Sequence, residues 1–186
     1  TINVGIIAVV VIFQPELRRA LEQLGRNKVL GFLVSENPKV LDDRFNTKTM
    51  NEIVKASFEM SKVKTGALIV IERKTPLSEY ERTGIVVDGV VTSQLLLNIF
   101  EHNTPLHDGA VIVRGNRAVA ATCYLPLSDN MSISKDLGTR HRAGLGISEV
   151  SDSVTVIVSE ETGRVSVAYE GTLKGGMDPE GLKEEL

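Results

Sequence analysis

At 186 residues, with 42% hydrophobic and 24% charged residues, the chain has the make-up of one folded domain with appended segments, which excludes an intrinsically disordered polypeptide. With 21 Lys and Arg against 24 Asp and Glu, the net charge of -3 carries no general field for polyanions, so any anion site must be local and no nucleic-acid partner is expected. The single cysteine, Cys123, excludes an intramolecular disulfide framework, and its place in the apolar run Ala118 to Leu125 reads as a buried strand residue.

The chain opens on Thr rather than Met, and the expectation is that it begins inside a longer protein. Val4 to Phe13 (VGIIAVVVIF) is apolar and free of charge, roughly half the length that a membrane-spanning helix needs. It reads either as a severed transmembrane helix or as a core element. The basic, helically patterned PELRRALEQLGR that follows suits a segment leaving a bilayer on the cytoplasmic side, with Pro15 in a first turn and Gly25 as a stop. Residues 1–25 are therefore expected to be the end of a transmembrane segment and a juxtamembrane helix. Residues 26–46, without periodicity, read as a linker, and 47–186 as the main folded domain.

Thr49 followed by Glu52 matches a capping box, and Met50, Ile53, Val54, Ser57, Phe58 and Ser61 then trace one helical face. Gly66 to Glu72 (GALIVIE) has the short, β-branched apolar pattern of a strand buried on both sides. Ile85 to Val87 is a weaker strand signal. Ser93 is placed to cap a helix carrying Leu95, Leu96, Ile99 and Phe100. Gly109 to Val113 and Arg117 to Tyr124 flank Arg114-Gly115-Asn116 as a hairpin. Pro126 to Asp136 reads as polar loop and Gly138 to Ser148 as a helix, in which the Gly144-Leu145-Gly146 stretch permits close packing. Val154 to Val158 and Val165 to Tyr169 form a second hairpin turned at Glu161-Thr162-Gly163, and Asp178 before Pro179 starts a terminal helix. Interleaved strands and helices, with two hairpins, predict an α/β (α+β) fold: a mixed, twisted β-sheet flanked by helices on both faces.

Three polar clusters fall at the ends of these elements. Leu106-His107-Asp108-Gly109-Ala110 sets a carboxylate and an imidazole just before a buried strand. There Asp108 can coordinate a hard cation and help deprotonate a hydroxyl, while Gly109 and Ala110 leave room for a ligand to approach the backbone. His107 is a second metal donor if the ion is Mn2+ or a similar transition metal. An Asp-Gly turn beside a surface histidine explains the same residues without a ligand. Gly138-Thr139-Arg140-His141-Arg142 crowds basic groups at a helix N-terminus, where the helix dipole disfavours them unless an anion such as a triphosphate, or nearby acids, neutralise them. Ser159-Glu160-Glu161-Thr162-Gly163 follows a buried strand and is either a phosphate or metal contact or an exposed turn. Tyr124 and Leu125 suit an apolar wall for a purine and equally suit the core. Phosphate-loop, kinase and His-Glu-x-x-His motifs are missing, which removes the common NTPase and zinc-hydrolase readings.

Taken together, LHDGA, GTRHRAGLGISEVSDS and VSEETG, in that order and spacing, resemble the DisA_N-type diadenylate cyclase domain, and the opening IFQPELRRALEQLGR is similar to the membrane-anchored class of that family. The resemblance implies condensation of two ATP molecules into cyclic di-AMP with release of pyrophosphate. It implies that Asp108 binds the catalytic metal and promotes attack by a ribose hydroxyl, with Gly109 and Ala110 completing the motif and His107 as a further metal contact. Arg140, His141 and Arg142 would engage the nucleotide phosphates beside Thr139. Tyr124 and Leu125 would border the adenine, and Ser159 and Glu161 would lie near phosphates and metal. It further implies a divalent ion (Mn2+ or Mg2+, with Co2+ a third candidate), a homodimer for catalysis, a regulatory protein partner, and a cell-membrane location with the domain facing the cytoplasm. A module that senses ATP or cyclic di-AMP without turnover is the rival reading of the same residues.

Overall fold

The computed structural model describes residues 45–130 and 138–186. The expected membrane segment and juxtamembrane helix, nearly all of the linker, and residues 131–137 of the polar loop lie outside the described residues. No helix among the described residues is long and apolar enough to cross a membrane.

The first helix, α1, spans Thr47–Val63 and ends on Lys64 in the left-handed region (φ 56°). Its cap differs from the expected box. The Asn46 side chain accepts from the Thr49 amide at 2.9 Å, so Thr49 lies within the first turn. Asn46, one residue before the helix, already holds the preferred cap geometry. Glu52 is thereby free to accept from the Ser93 amide at 2.6 Å, joining α1 to the next long helix.

Strand β1 (Ala67–Ile71) is buried at every position. A short helix α2 (Ser78–Glu81) and the edge strand β2 (Ile85–Val90) follow, then α3 (Ser93–Phe100), capped by the Thr92 hydroxyl rather than by Ser93. The first hairpin forms as expected from β3 (Ala110–Arg114) and β4 (Arg117–Cys123), with Gly115 at φ 58° in the turn. After helix α4 (Thr139–Val150) comes the second hairpin, β5 (Val154–Val158) and β6 (Val165–Tyr169). The edge strand β7 (Thr172–Gly175) and the helix α5 (Pro179–Glu185), capped by Asp178, close the chain.

The seven strands form one sheet in the order β2-β4-β3-β1-β5-β6-β7, with β1 and β3 parallel and every other neighbouring pair antiparallel. Both sheet faces are covered, and the period-two alternation of strands divides the core accordingly. Ile69, Val111 and Val156 join Ile53 and Met60 of α1, Phe100 of α3 and Leu182 of α5 on one face. Leu68, Ile112 and Ile157 join Ala143 and Ile147 of α4 and Leu77 on the other. This two-sided burial is why β1 and β5 read as unbroken apolar runs rather than alternating ones.

Polar contacts fix the connection between β1 and β2 over the second face. Arg114 donates to Glu72 Oε1 at 2.6 Å and to Glu81 Oε2 at 2.6 Å, while the other Glu72 oxygen accepts from the Leu77 amide at 2.8 Å. Thr83, just beyond α2, accepts from the Tyr124 amide through Oγ1 at 2.9 Å. The end of β4 is thus tied to the edge of the sheet.

Candidate active site

Helix α4 starts at the basic cluster, and each basic side chain is reconciled with the helix N-terminus differently. Arg140 donates through NH1 to Glu160 Oε2 at 2.5 Å, an ion pair between α4 and the turn after β5. Its Nε is buried without a hydrogen-bond partner. His141 is 7% exposed, and burial lowers its pKa despite the opposing charge of Glu161, so the ring is neutral at neutral pH. Arg142 turns to a carbonyl, that of Ser128, with Nε at 3.2 Å and NH2 at 3.1 Å.

Gly66, just before β1, makes the Arg140–Glu160 pair possible. A Cβ added there would lie 2.8 Å from Arg140 NH1 and 3.0 Å from Glu160 Oε2. The turn bearing Glu160 is anchored in turn. Gly163 adopts φ 72°, its carbonyl accepts from Ser61 Oγ of α1 at 2.5 Å, and the Ser159 hydroxyl accepts from the Thr162 amide at 3.2 Å.

Asp108 sits in the loop before β3. Gly109 adopts φ 114°, and a Cβ there would fall 2.8 Å from the Thr122 carbonyl carbon, so only glycine lets the loop lie flat on β4. Thr122 itself holds φ 58°, rare for a β-branched residue, where the β3–β4 register is irregular. Its hydroxyl donates to the Leu106 carbonyl at 3.3 Å. Strain on the strand thus accompanies a loop held in one place.

Two cavities meet at the start of α4. The smaller, about 160 Å³, is lined by Asp108, Gly109, Tyr124, Leu125, Thr139 and Arg140, together with Leu68, Cys123, Leu127 and Ala143. The larger, about 530 Å³, is lined by Thr139, Arg140, His141, Ser159, Glu160, Glu161 and Arg164 among others. Thr139 and Arg140 border both. Ala110 is fully buried and lines neither cavity, nor do His107 and Arg142. Cys123 is 1% exposed, and burial, helped by the charge of Glu81, pushes its thiol up to about 11, so it is a packing residue.

Sequence reasoning missed Gly66 as part of the site and named Glu160 only within the candidate polar turn, without a role of its own. Glu160 was legible as a carboxylate in a polar turn but not as the partner of Arg140, and a glycine before a strand carries no mark of the side chain it accommodates.

Of the two expected metal donors, Asp108 lines the smaller cavity and His107 lines neither cavity. His107 Nδ1 lies 2.6 Å from the Thr104 carbonyl, which can only accept, so Nδ1 donates there and Nε2 is the ring nitrogen left for another partner. Among the described residues no three His, Cys, Asp or Glu side chains gather as a complete ligand set. Asp108 is a hard oxygen donor of the kind that Mg2+ and Mn2+ take beside phosphate oxygens and water.

A model of the protein family described as DAC, DisA bacterial checkpoint controller nucleotide-binding, matches residues 54–173. The chain is 55% identical over 98% of its length to the cyclic di-AMP synthase CdaA of Bacillus subtilis and 48% identical over 98% to a diadenylate cyclase of Listeria monocytogenes. It spans 65% of the length of each of these relatives. Among solved structures, a double mutant of DacA from Staphylococcus aureus superposes with a TM-score of 0.72 at 51% identity, covering 74% of this chain and 91% of that one. A hypothetical membrane spanning protein from Bacillus cereus gives a TM-score of 0.69 at 35% identity, covering 91% and 80%.

Proposed function

The chain belongs to the DAC family of DisA bacterial checkpoint controller nucleotide-binding domains, and from that premise we propose that it condenses two ATP molecules into cyclic di-AMP and releases two pyrophosphates. The observation that carries the reading is the pair of cavities sharing Thr139 and Arg140, one lined by Asp108, Tyr124, Leu125 and Leu127 and the other by His141, Ser159, Glu160, Glu161 and Arg164. A nucleotide laid across them has its base against Tyr124 and Leu125, its ribose near Asp108 and its phosphates toward Arg140, Ser159 and Glu161. The cyclase names of the two bacterial relatives support the same assignment.

In each of two equivalent steps the 3′-oxygen of one ATP bonds to the α-phosphorus of the other, and the bond from that phosphorus to the bridging oxygen of pyrophosphate breaks. The Asp108 carboxylate accepts the proton of the attacking hydroxyl. Arg140, pre-placed by Glu160 and Gly66, stabilises charge on the phosphoryl oxygens, and Thr139 orients them from the first turn of α4. His107 and Asp108 would hold the divalent ion, which when bound supplies charge neutralisation at the phosphates. Because the product has two equivalent linkages, two protomers facing each other about a two-fold axis, each with one ATP, is the simplest arrangement. Anchoring to the cell membrane through residues N-terminal to the described domain, with that domain in the cytoplasm, belongs to the same proposal. So does the domain division at residues 25, 46 and 47.

The test is to incubate the purified protein with ATP and Mn2+ or Mg2+ and identify products by chromatography and mass spectrometry. Cyclic di-AMP with two equivalents of pyrophosphate is expected. ATP binding without any product would replace the cyclase reading with the sensing one.

Gly66→Ala is expected to leave the fold intact, since Gly66 has an ordinary φ, yet to push the guanidinium of Arg140 off its seat. Losing a charge-assisted contact to phosphate weakens ATP binding by about 10-fold. Calorimetric titration measures it, and an unchanged affinity would mean the pair has room to retreat.

A further inference from the structure

The arginine that lines neither cavity has a different task. The Arg142 guanidinium donates to the Ser128 carbonyl through Nε at 3.2 Å and NH2 at 3.1 Å, and the Arg142 carbonyl accepts from the Ser128 amide at 2.9 Å. Ser128 is 2% exposed, and its hydroxyl donates to Glu149 Oε1 at 2.6 Å and accepts from the Asn130 amide at 3.2 Å. Between these two side chains on α4 lies Gly146, where a Cβ would come 2.1 Å from the Pro126 carbonyl oxygen. Arg142, Gly146 and Glu149 are spaced i, i+4, i+7, a single stripe of the helix. Ser128 is thus held on that stripe from both sides, by Arg142 and by Glu149, with the backbone of Pro126 and Ser128 resting on Gly146 between them.

We infer that Arg142 is a positioning residue that latches the segment Tyr124–Asn130 onto α4, and so sets the wall of the smaller cavity rather than holding phosphate. Tyr124, Leu125 and Leu127 of that segment line the cavity opposite Asp108. The latch complements the tie of the Tyr124 amide to Thr83, so the wall is held at both ends. A guanidinium suits this work because its planar fork reaches one carbonyl with two donors, which a lysine cannot do. The inference rests on the proposed placement of the adenine against this wall. The ordinary alternative, a phosphate contact through the guanidinium N–H groups that Ser128 does not use, is disfavoured because Arg142 lines neither cavity.

The test compares wild type with Arg142→Gln and Glu149→Gln by amide hydrogen exchange and ATP titration. Arg142 is half exposed, so the substitution is compatible with folding, and a thermal melt checks it. Exchange at Ser128 and Asn130 is expected to rise at least 10-fold in Arg142→Gln and less in Glu149→Gln, with ATP affinity falling in the same order. Arg142→Lys is expected to restore part of both. Unchanged exchange at Ser128 and Asn130, combined with weaker ATP binding, would overturn the latch and make Arg142 a phosphate ligand. Failure of wild type to make cyclic di-AMP would sink the cyclase reading yet leave the exchange result, and hence the latch, standing.

Discussion

Asp108→Asn is expected to lower the rate of cyclic di-AMP formation by about 10²–10⁴-fold, the range lost when a positioned general base is removed. The substitution keeps the size and planarity of the side chain and deletes only the charge and the capacity to accept a proton. Asp108 is exposed in a loop whose path is set by Gly109 at φ 114° and by the Thr122 hydroxyl, so the change should leave stability within about 0.5 kcal/mol. The effect therefore belongs to the chemistry and to the metal, not to the fold. Initial rates of pyrophosphate release at saturating ATP, with the metal varied, measure it. A fall that excess Mn2+ reverses would point to metal affinity, and one that it does not reverse would point to proton transfer. A variant within threefold of wild type at every metal concentration would remove Asp108 from the reaction.

The elements that carry strong periodicity could be read from residues alone, because their signals are local. The turn Gly115-Asn116 announces the first hairpin, and β1 announces itself as a strand covered on both sides, which the two core clusters bear out. The start of α1 was misread because Asn46, Thr47 and Thr49 are all acceptable caps within one turn. What decided between them was the Asn46 geometry and the pull of Ser93 on Glu52, a partner 41 residues away. Strand β7 was not foreseen: TLKG has exposed, unalternating side chains and is a strand only because β6 offers it backbone partners. The site follows the same rule. Its clusters were visible as charged residues at the ends of elements, whereas the pairing of Arg140 with Glu160 and the turning of Arg142 to Ser128 depend on chain crossings that no local pattern records.

The two glycines inside α4 separate these levels. In an exposed helix, Gly→Ala stabilises by about 1 kcal/mol through backbone entropy and propensity. At Gly144 a new Cβ would meet the Cδ1 at 2.8 Å and Cγ1 at 2.9 Å of Ile157, a fully buried side chain on β5, so the core beneath the helix must shift while the segment after β4 is untouched. At Gly146 it would meet backbone: the Pro126 carbonyl oxygen at 2.1 Å and the Ser128 amide nitrogen at 2.8 Å. Backbone cannot rotate away, so the segment must lift off the helix as a unit, breaking the reciprocal bonds between Ser128 and Arg142 and the bond from Ser128 to Glu149. Overpacking of this kind costs about 1–3 kcal/mol, and the lost hydrogen bonds about 1 kcal/mol each, which together exceed the helix gain. Gly146→Ala is thus expected to lose about 2–4 kcal/mol and to weaken ATP binding by at least 10-fold, because Tyr124 and Leu125 move with the segment. Gly144→Ala, in the same helix, should lose about 0–2 kcal/mol once the helix gain is set against overpacking of Ile157, and should keep its ATP affinity. Urea unfolding and calorimetry on the two variants decide it. An equal loss of ATP affinity at both positions would mean that the closeness of α4 to β5, not its contact with the segment after β4, is what the glycines serve.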